Sequence, residues 1–237
     1  MDEGRCCKMN FNHAKDRIIH LWGDSIGQGV VFNQDRHRYC LTPKRCARIL
    51  QEDGVPLESH AKMGATISDG YADFVAAKTN PGDVAVVEFG GNDCDLDWQA
   101  VSDHPQILHD ARTPLPEFAE MLRLFISGIR ARSMEPVVVL PPPLHSMRYF
   151  HWVCQGRNEE AVLAYLGDVE RIGRWHDSYV SVIRDTAEST SCRLLDMHTP
   201  FLRARDFTSL ICQDGIHPNA EGQELMARIA LQEMAAG

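Results

Sequence analysis

The feature that most limits the fold of this chain is a set of short apolar runs with no polar alternation. Asp83–Phe89 (DVAVVEF) and Pro136–Leu140 (PVVVL) are the clearest. A strand solvated on one face alternates apolar and polar side chains; these runs do not, so both of their faces must be covered. Arg17–Trp22 (RIIHLW) and Arg193–Asp196 (RLLD) read as further strands, and Val55–Ala61 as a weaker one. Segments of helical period lie between them. Pro43–Asp53 places Cys46, Ile49 and Leu50 on one face, and Ser68–Lys78 is stopped by Asn80-Pro81-Gly82. In Glu117–Arg132, Phe118, Met121, Leu122, Phe125 and Ile129 follow the 3.6 period. Glu159–Glu188 is a long helical pattern with a break expected near Gly167 or Gly173. Ala220–Met234 closes the chain, with Asn219 as its N-cap. Two-sided strands alternating with helices imply an α/β protein with a parallel sheet covered on both faces. Such sheets carry their sites at the carboxyl ends of the strands.

Composition narrows the partners. Lys and Arg number 24 against 33 Asp and Glu, a net charge of −9. That excess of acid argues against nucleic acid, whose phosphates are neutralised by basic side chains. The eight cysteines contain no C-x-x-C pair, so neither a zinc site nor a thioredoxin-like motif is written in them. Residues 1–16 read as a charged extension ahead of one domain over 17–237. Having no apolar core, that extension does not read as a signal peptide, and no apolar run is long enough for a membrane span. The expectation is a reduced, cytoplasmic protein. Homo-oligomerisation is not readable from the sequence.

The chemistry lies in the loops after the strands. Gly23-Asp24-Ser25-Ile26-Gly27-Gln28-Gly29 comes after the first, Lys62-Met63-Gly64-Ala65-Thr66 after the second, and Gly90-Gly91-Asn92-Asp93 after the third. Asp214-Gly215-Ile216-His217-Pro218 precedes the final helix. On one sheet edge these supply the parts of an acyl-transfer site. Ser25 is the candidate nucleophile, His217 the base that takes and returns its proton, and Asp214 the group that fixes the imidazole tautomer. The backbone N–H groups of Ser25 and Gly64 and the side-chain amide of Asn92 are candidate oxyanion donors. Taken singly, Ser25 reads as well as a helix cap, Asp214 and Asn92 as turn residues, and His217 as a helix-start residue. The four blocks together favour the catalytic reading.

In these four blocks the chain resembles the SGNH (GDSL) hydrolase family. Gly23-Asp24-Ser25 matches the first block, with Ile26 where leucine is common, and Gly64 matches the second. Gly90-Gly91-Asn92-Asp93 matches the third, and Asp214-Gly215-Ile216-His217-Pro218 the last. The resemblance implies a three-layer α/β/α, flavodoxin-like fold whose five-stranded parallel sheet has order 2-1-3-4-5. It implies catalysis without metal or cofactor on a small-molecule ester. The expected activity is a serine esterase acting on carbohydrate O-acetyl or short-chain acyl esters. Acyl transfer, acyl thioester or lysophospholipid hydrolysis by the same triad, and a non-catalytic binding module, are the alternatives.

Two segments are longer than the alternation requires, Asp93–Thr113 and Pro141–Asn158. Loops of that length are functional or folded on themselves. Trp98, Tyr149 and Trp152 are candidates for a wall of the substrate pocket, with loop packing as the alternative. The alternating acids of Asp93-Cys94-Asp95-Leu96-Asp97 lack the glycine and distal glutamate of a calcium loop and read as hydrogen-bonded turn residues. Cys94, two residues from Asn92, reads as a buried, inert thiol.

Overall fold

The computed structural model of the protein describes residues 17–236; the expected extension over 1–16 lies outside the described residues. In chain order the elements begin β1 (Ile19–Gly23), α1 (Ser25–Gln28), β2 (Val30–Asn33), β3 (Arg38–Leu41), α2 (Cys46–Glu52) and β4 (Leu57–Ser59). Next come α3 (Ile67–Ala76), β5 (Val84–Glu88), α4 (Trp98–Asp103), α5 (Leu115–Ala131), β6 (Glu135–Leu140) and α6 (Ser146–Val153). The chain continues with α7 (Glu159–Leu166), α8 (Arg171–Ser189), β7 (Arg193–Asp196), α9 (His198–Arg203), a 3-10 turn (Phe207–Leu210) and α10 (Ala220–Ala236).

Five strands form one sheet in the order β4-β1-β5-β6-β7, every pair parallel. Counting only these strands along the chain, the order is 2-1-3-4-5, as the resemblance implies. The absence of alternation has the expected cause. On β6, Val138 and Leu140 enter a cluster with Trp22, Phe74, Phe118, Phe125, Ile129 and Tyr179, which α3, α5 and α8 build over one face. Val139 enters the opposite cluster with Leu50 of α2, Met197 just before α9, Phe201 of α9, and Met226 and Ile229 of α10. Successive side chains of a strand point to opposite faces, so both sets must be apolar.

A third cluster lies over the carboxyl edge of the sheet. It joins Trp98 and Val101 of α4, Tyr149, Phe150 and Val153 of α6, Val162 and Leu166 of α7, and Ile172 of α8. The two long segments therefore fold into short helices that pack on each other. Their helical phase is not visible locally because each is only six to eight residues long. The antiparallel hairpin β2–β3 is a further element beyond the expected strands.

The long pattern over 159–188 breaks at Gly167, which ends α7 with φ +78. Gly173 lies inside α8, where a Cβ would stand 2.8 Å from Ser146 Oγ; it serves the packing of α8 on α6. Asn219 caps α10 as expected, its Oδ1 accepting from the N–H groups of Glu221 and Gly222 at 3.0 Å each.

Gly70, in the middle of α3, tests how tightly this helix meets the sheet. A Cβ there would lie 2.1 Å from Cζ of Phe89, a residue only 2 % exposed. Overpacking of this kind costs about 1–3 kcal/mol, against a helix-propensity gain of about 1 kcal/mol for replacing glycine with alanine. Gly70→Ala is expected to lower the midpoint of thermal unfolding followed by circular dichroism, by about 2–4 °C per kcal/mol of net loss.

Candidate active site

The site is assembled from three loops, each closed by a carboxylate that accepts backbone N–H groups. The first leaves β1. Asp24 caps α1, its Oδ1 accepting from Ile26 N at 2.8 Å, and so places Ser25 as the first helical residue. Gln223 of α10 ties this turn down: its Nε2 donates to the Ile26 carbonyl at 3.0 Å while its Oε1 accepts from Cys46 N at 2.9 Å.

The second loop holds Asp214 and His217. Asp214 Oδ1 accepts from the N–H groups of Ile216 and His217, both at 3.1 Å, which closes the turn. Its Oδ2 lies 2.6 Å from His217 Nδ1. The turn role and the imidazole-orienting role thus belong to the two oxygens of one carboxylate. Gly215 between them has φ +82, and a Cβ there would come within 2.4 Å of Tyr149 N. Only glycine lets this loop settle on the start of α6. His217 Nε2 reaches Ser25 Oγ at 2.8 Å, across 192 residues of sequence. Asp214, His217 and Ser25 are 0 %, 3 % and 7 % exposed, so the line is shielded from bulk water. A hydroxyl, an imidazole and a carboxylate in this order can activate the hydroxyl as a nucleophile.

The third loop leaves β5. Asp93 accepts from Ile67 N at 3.0 Å, Gly90 N at 3.1 Å and Thr113 Oγ1 at 2.7 Å, binding the loop to the start of α3 and the end of the long segment. Asn92 is thereby held beside Ser25. Its Nδ2 donates to Asp24 Oδ2 and to the Ala65 carbonyl, each at 3.1 Å. In this state both amide hydrogens are engaged, so serving a substrate oxygen requires one of them to be shared. Gly64 lies on the neighbouring loop with φ +79 and open space around its α-carbon, and its carbonyl accepts from Arg112.

A cavity of about 1010 Å³, open mouth included, adjoins Ser25, Asn92 and His217; Gly64 does not line it. Trp98 and Tyr149 form part of its wall, together with Leu96, Leu144, Tyr165, Ile172, Trp175 and Ile216. The polar ends of both are satisfied by one acceptor: Trp98 Nε1 and Tyr149 Oη donate to Asp95 Oδ1 at 2.7 and 2.6 Å. They pack the cap and line the cavity at once. Trp152 does not join them; it packs edge-on against Phe32 of β2 and near Tyr39 of β3. Trp152 lies three residues beyond Tyr149 on α6, a rotation of about 300° and a rise of about 4.5 Å, and sequence proximity could not resolve that difference. In the DCDLD segment, Asp93 holds its loop, Asp95 accepts from the two aromatic residues, and Asp97 caps α4. Cys94 lines the cavity, but burial pushes its thiol pKa well up and its Sγ donates to the Gly91 carbonyl. It therefore lacks the thiolate character of a nucleophile.

Two features were missed in the sequence. Tyr39 lays its ring 5.1 Å from that of His217. The signal was the pair VVFN and RYCL around a polar turn, a hairpin pattern. The other is a pair of buried carboxyls behind Ser25. Glu88 Oε2 accepts from Asp24 N at 3.3 Å and Gly27 N at 3.0 Å, whereas its Oε1 is buried without a partner among the described residues. Burial raises Asp24 to about 6, and burial followed by repulsion from Asp24 raises Glu88 well above the usual carboxylate range. A glutamate at the end of an apolar strand gives no local sign of this.

A five-stranded parallel α/β sheet with a Ser-His-Asp line at its carboxyl edge defines a serine-hydrolase architecture. The chain belongs to the GDSL-like lipase/acylhydrolase family, whose model matches residues 21–225; it is an ester-hydrolysing enzyme of that class. No match to a curated protein sequence was found. Similar solved structures include the lipase/acylhydrolase from Enterococcus faecalis, with TM-score 0.64 and 19% identity over 92% of this chain and 95% of that one. An acetyl xylan esterase from Geobacillus stearothermophilus gives TM-score 0.63 and 18% identity over 93% and 95%. A member of the lipolytic G-D-S-L family from Veillonella parvula gives 0.61 and 15% over 91% and 97%. At these identities the likeness speaks for the fold.

The raised carboxyls carry a stability consequence. A raised folded pKa means that the folded chain holds more protons than the unfolded chain between about 4 and 6, so Asp24 contributes a loss of stability as pH climbs through that window. Glu88→Gln keeps an oxygen for the Asp24 and Gly27 N–H groups and removes the second acid. It is expected to raise the thermal midpoint at pH 8 by about 2–4 °C and to flatten the decline between pH 4 and 6. Parallel Tm-against-pH curves for wild type and variant would contradict this assignment.

Proposed function

We propose that the protein is a serine esterase that cleaves small carboxylic esters through an acyl-enzyme on Ser25. The observation that carries this reading is the hydrogen-bonded line from Asp214 through His217 to Ser25, opening into a cavity. Ser25 Oγ attacks the ester carbonyl as His217 Nε2 takes its proton. Asp214 holds the imidazole through Nδ1 and stabilises the imidazolium. The backbone N–H groups of Ser25 and Gly64 and the Asn92 amide receive the oxyanion, Asn92 relaxing its bond to Asp24 or Ala65 to do so. Collapse expels the alcohol, which leaves with the proton from His217. Water, deprotonated by the same nitrogen, then attacks the acyl-enzyme and releases the acid.

The cavity wall supports a substrate preference. Leu96, Leu144, Ile172 and Ile216 offer apolar contact to an acyl chain. Apolar surface of this kind favours an aliphatic acyl group over acetyl, gaining about 0.8 kcal/mol per buried methylene. We read the substrate as a short-chain acyl ester in preference to a carbohydrate O-acetyl group.

Ser25→Ala is expected to lower hydrolysis of p-nitrophenyl butyrate by at least about 10³-fold; full retention of rate would exclude the mechanism. Asn92→Ala is expected to lower kcat by about 10²–10³-fold with little change in KM. In a panel of p-nitrophenyl acyl esters and acetylated xylo-oligosaccharides, kcat/KM should rise from acetyl to butyryl and be lowest on the sugars. A reversed order would point to the carbohydrate ester. Product analysis with added alcohols separates hydrolysis from acyl transfer.

A further inference from the structure

Away from the candidate active site, the edge of the sheet gathers three metal-competent side chains by strand register. His20 of β1 pairs with Glu58 of β4. Directly opposed residues of adjacent strands project to the same face, and so does a residue two further along the strand. His60, two residues beyond Glu58 and still bonded to β1 through its N–H to the Leu21 carbonyl at 2.8 Å, completes the group. His20 Nδ1 lies 3.1 Å from His60 Nε2 and 3.6 Å from Glu58 Oε2, and the three ligand atoms all fall within 4.8 Å of one another.

We propose that His20, His60 and Glu58 form a binding site for a zinc ion. Four ligands at about 2.0–2.1 Å around a tetrahedral metal stand about 3.3 Å apart, close to the two separations from His20 Nδ1. Two imidazoles and one carboxylate form a set that zinc accepts, leaving a fourth position for water. The imidazoles select against magnesium and calcium, which take oxygen ligands.

The ring of His20 is prepared for this role. It is 2 % exposed, and its other nitrogen, Nε2, lies 3.2 Å from Asp83 Oδ2. Asp83 is itself fixed by Asn80 N at 2.8 Å and Ile18 N at 3.1 Å. A carboxylate on the far nitrogen keeps the proton there and leaves Nδ1 as a lone pair, the arrangement that supports metal-bound histidines. Trp22 stacks against both imidazoles, its ring 4.7 Å from that of His60 at 11° and 5.5 Å from that of His20 at 24°. Glu58 is exposed and gives a path from solvent. Without metal, the His20–His60 contact is an N–H···N bond. Zinc replaces that hydrogen, and His60 takes up the tautomer protonated on Nδ1, the proton exchanging through solvent. The ion would clamp the short edge strand β4 to β1.

The test uses the full chain, freed of metal by chelation and dialysis, with zinc chloride as the probe. Calorimetric titration is expected to show a saturable site, one zinc per chain, and the thermal midpoint should rise with zinc. His60→Ala and the exposed Glu58→Gln, each checked for folding by circular dichroism, should each weaken that site at least about tenfold. Cobalt(II) should give the visible bands of a tetrahedral nitrogen and oxygen site, with no thiolate charge-transfer band. Equal zinc affinity in wild type and both variants, a cobalt–thiolate spectrum, or no saturable binding would each overturn the proposal. Esterase activity plays no part in these readouts, so failure here leaves the Ser25 mechanism untouched.

Discussion

The rest of the structure depends on the parallel direction of five strands. Because they run the same way, the segments after β1, β4 and β5 emerge at one edge. Residues separated by nearly two hundred positions can then meet within hydrogen-bond distance, as Ser25 and His217 do. Parallel pairing also buries both faces, since each crossover lays a helix on the sheet. The same constraint therefore produces the unbroken apolar strands, the two helical layers and the clustering of polar loops at one end.

Within that frame, three aspartates shape the loops locally, as the sheet cannot. Asp24, Asp93 and Asp214 each accept at least one backbone N–H of their own loop; Asp24 and Asp93 also bind a group from another segment, and Asp214 also binds the imidazole of His217. A carboxylate oxygen accepts more than one hydrogen bond, so a single side chain shapes a turn and aims a neighbour. The cost falls on Asp24 and Glu88, whose buried carboxyls resist ionisation. The two are bound to the same turn as the proposed nucleophile, so the site sits on a locally unfavourable electrostatic arrangement held by the packing around it.

The sequence was most legible where a signal repeats or is locally complete. The strands stand out through two-sided apolarity, α5 through its periodic Phe118, Leu122, Phe125 and Ile129, and α10 through Asn219. Gly23-Asp24-Ser25 and Asp214 to His217 are legible because each is a closed turn whose residue types the backbone demands. The helices α4 and α6 were not, because six to eight residues hold too few turns for a period to show. Trp98, Tyr149 and Trp152 illustrate the limit: all three are aromatic and lie on segments that leave the active edge, yet two line the cavity and one packs on the hairpin.

By itself, then, the sequence determined the parallel α/β architecture and the chemical identity of the loops at its edge. Both derive from short-range facts, the pattern of apolar residues along a strand and the hydrogen-bond needs of a turn. Only the tertiary structure decided the 2.8 Å approach of His217 to Ser25, the engagement of Asn92 by Asp24 and Ala65, and the meeting of His20 with Glu58 and His60. These rest on strand order, register and helix packing. Each of those is set by contacts between distant segments, which local sequence patterns do not encode.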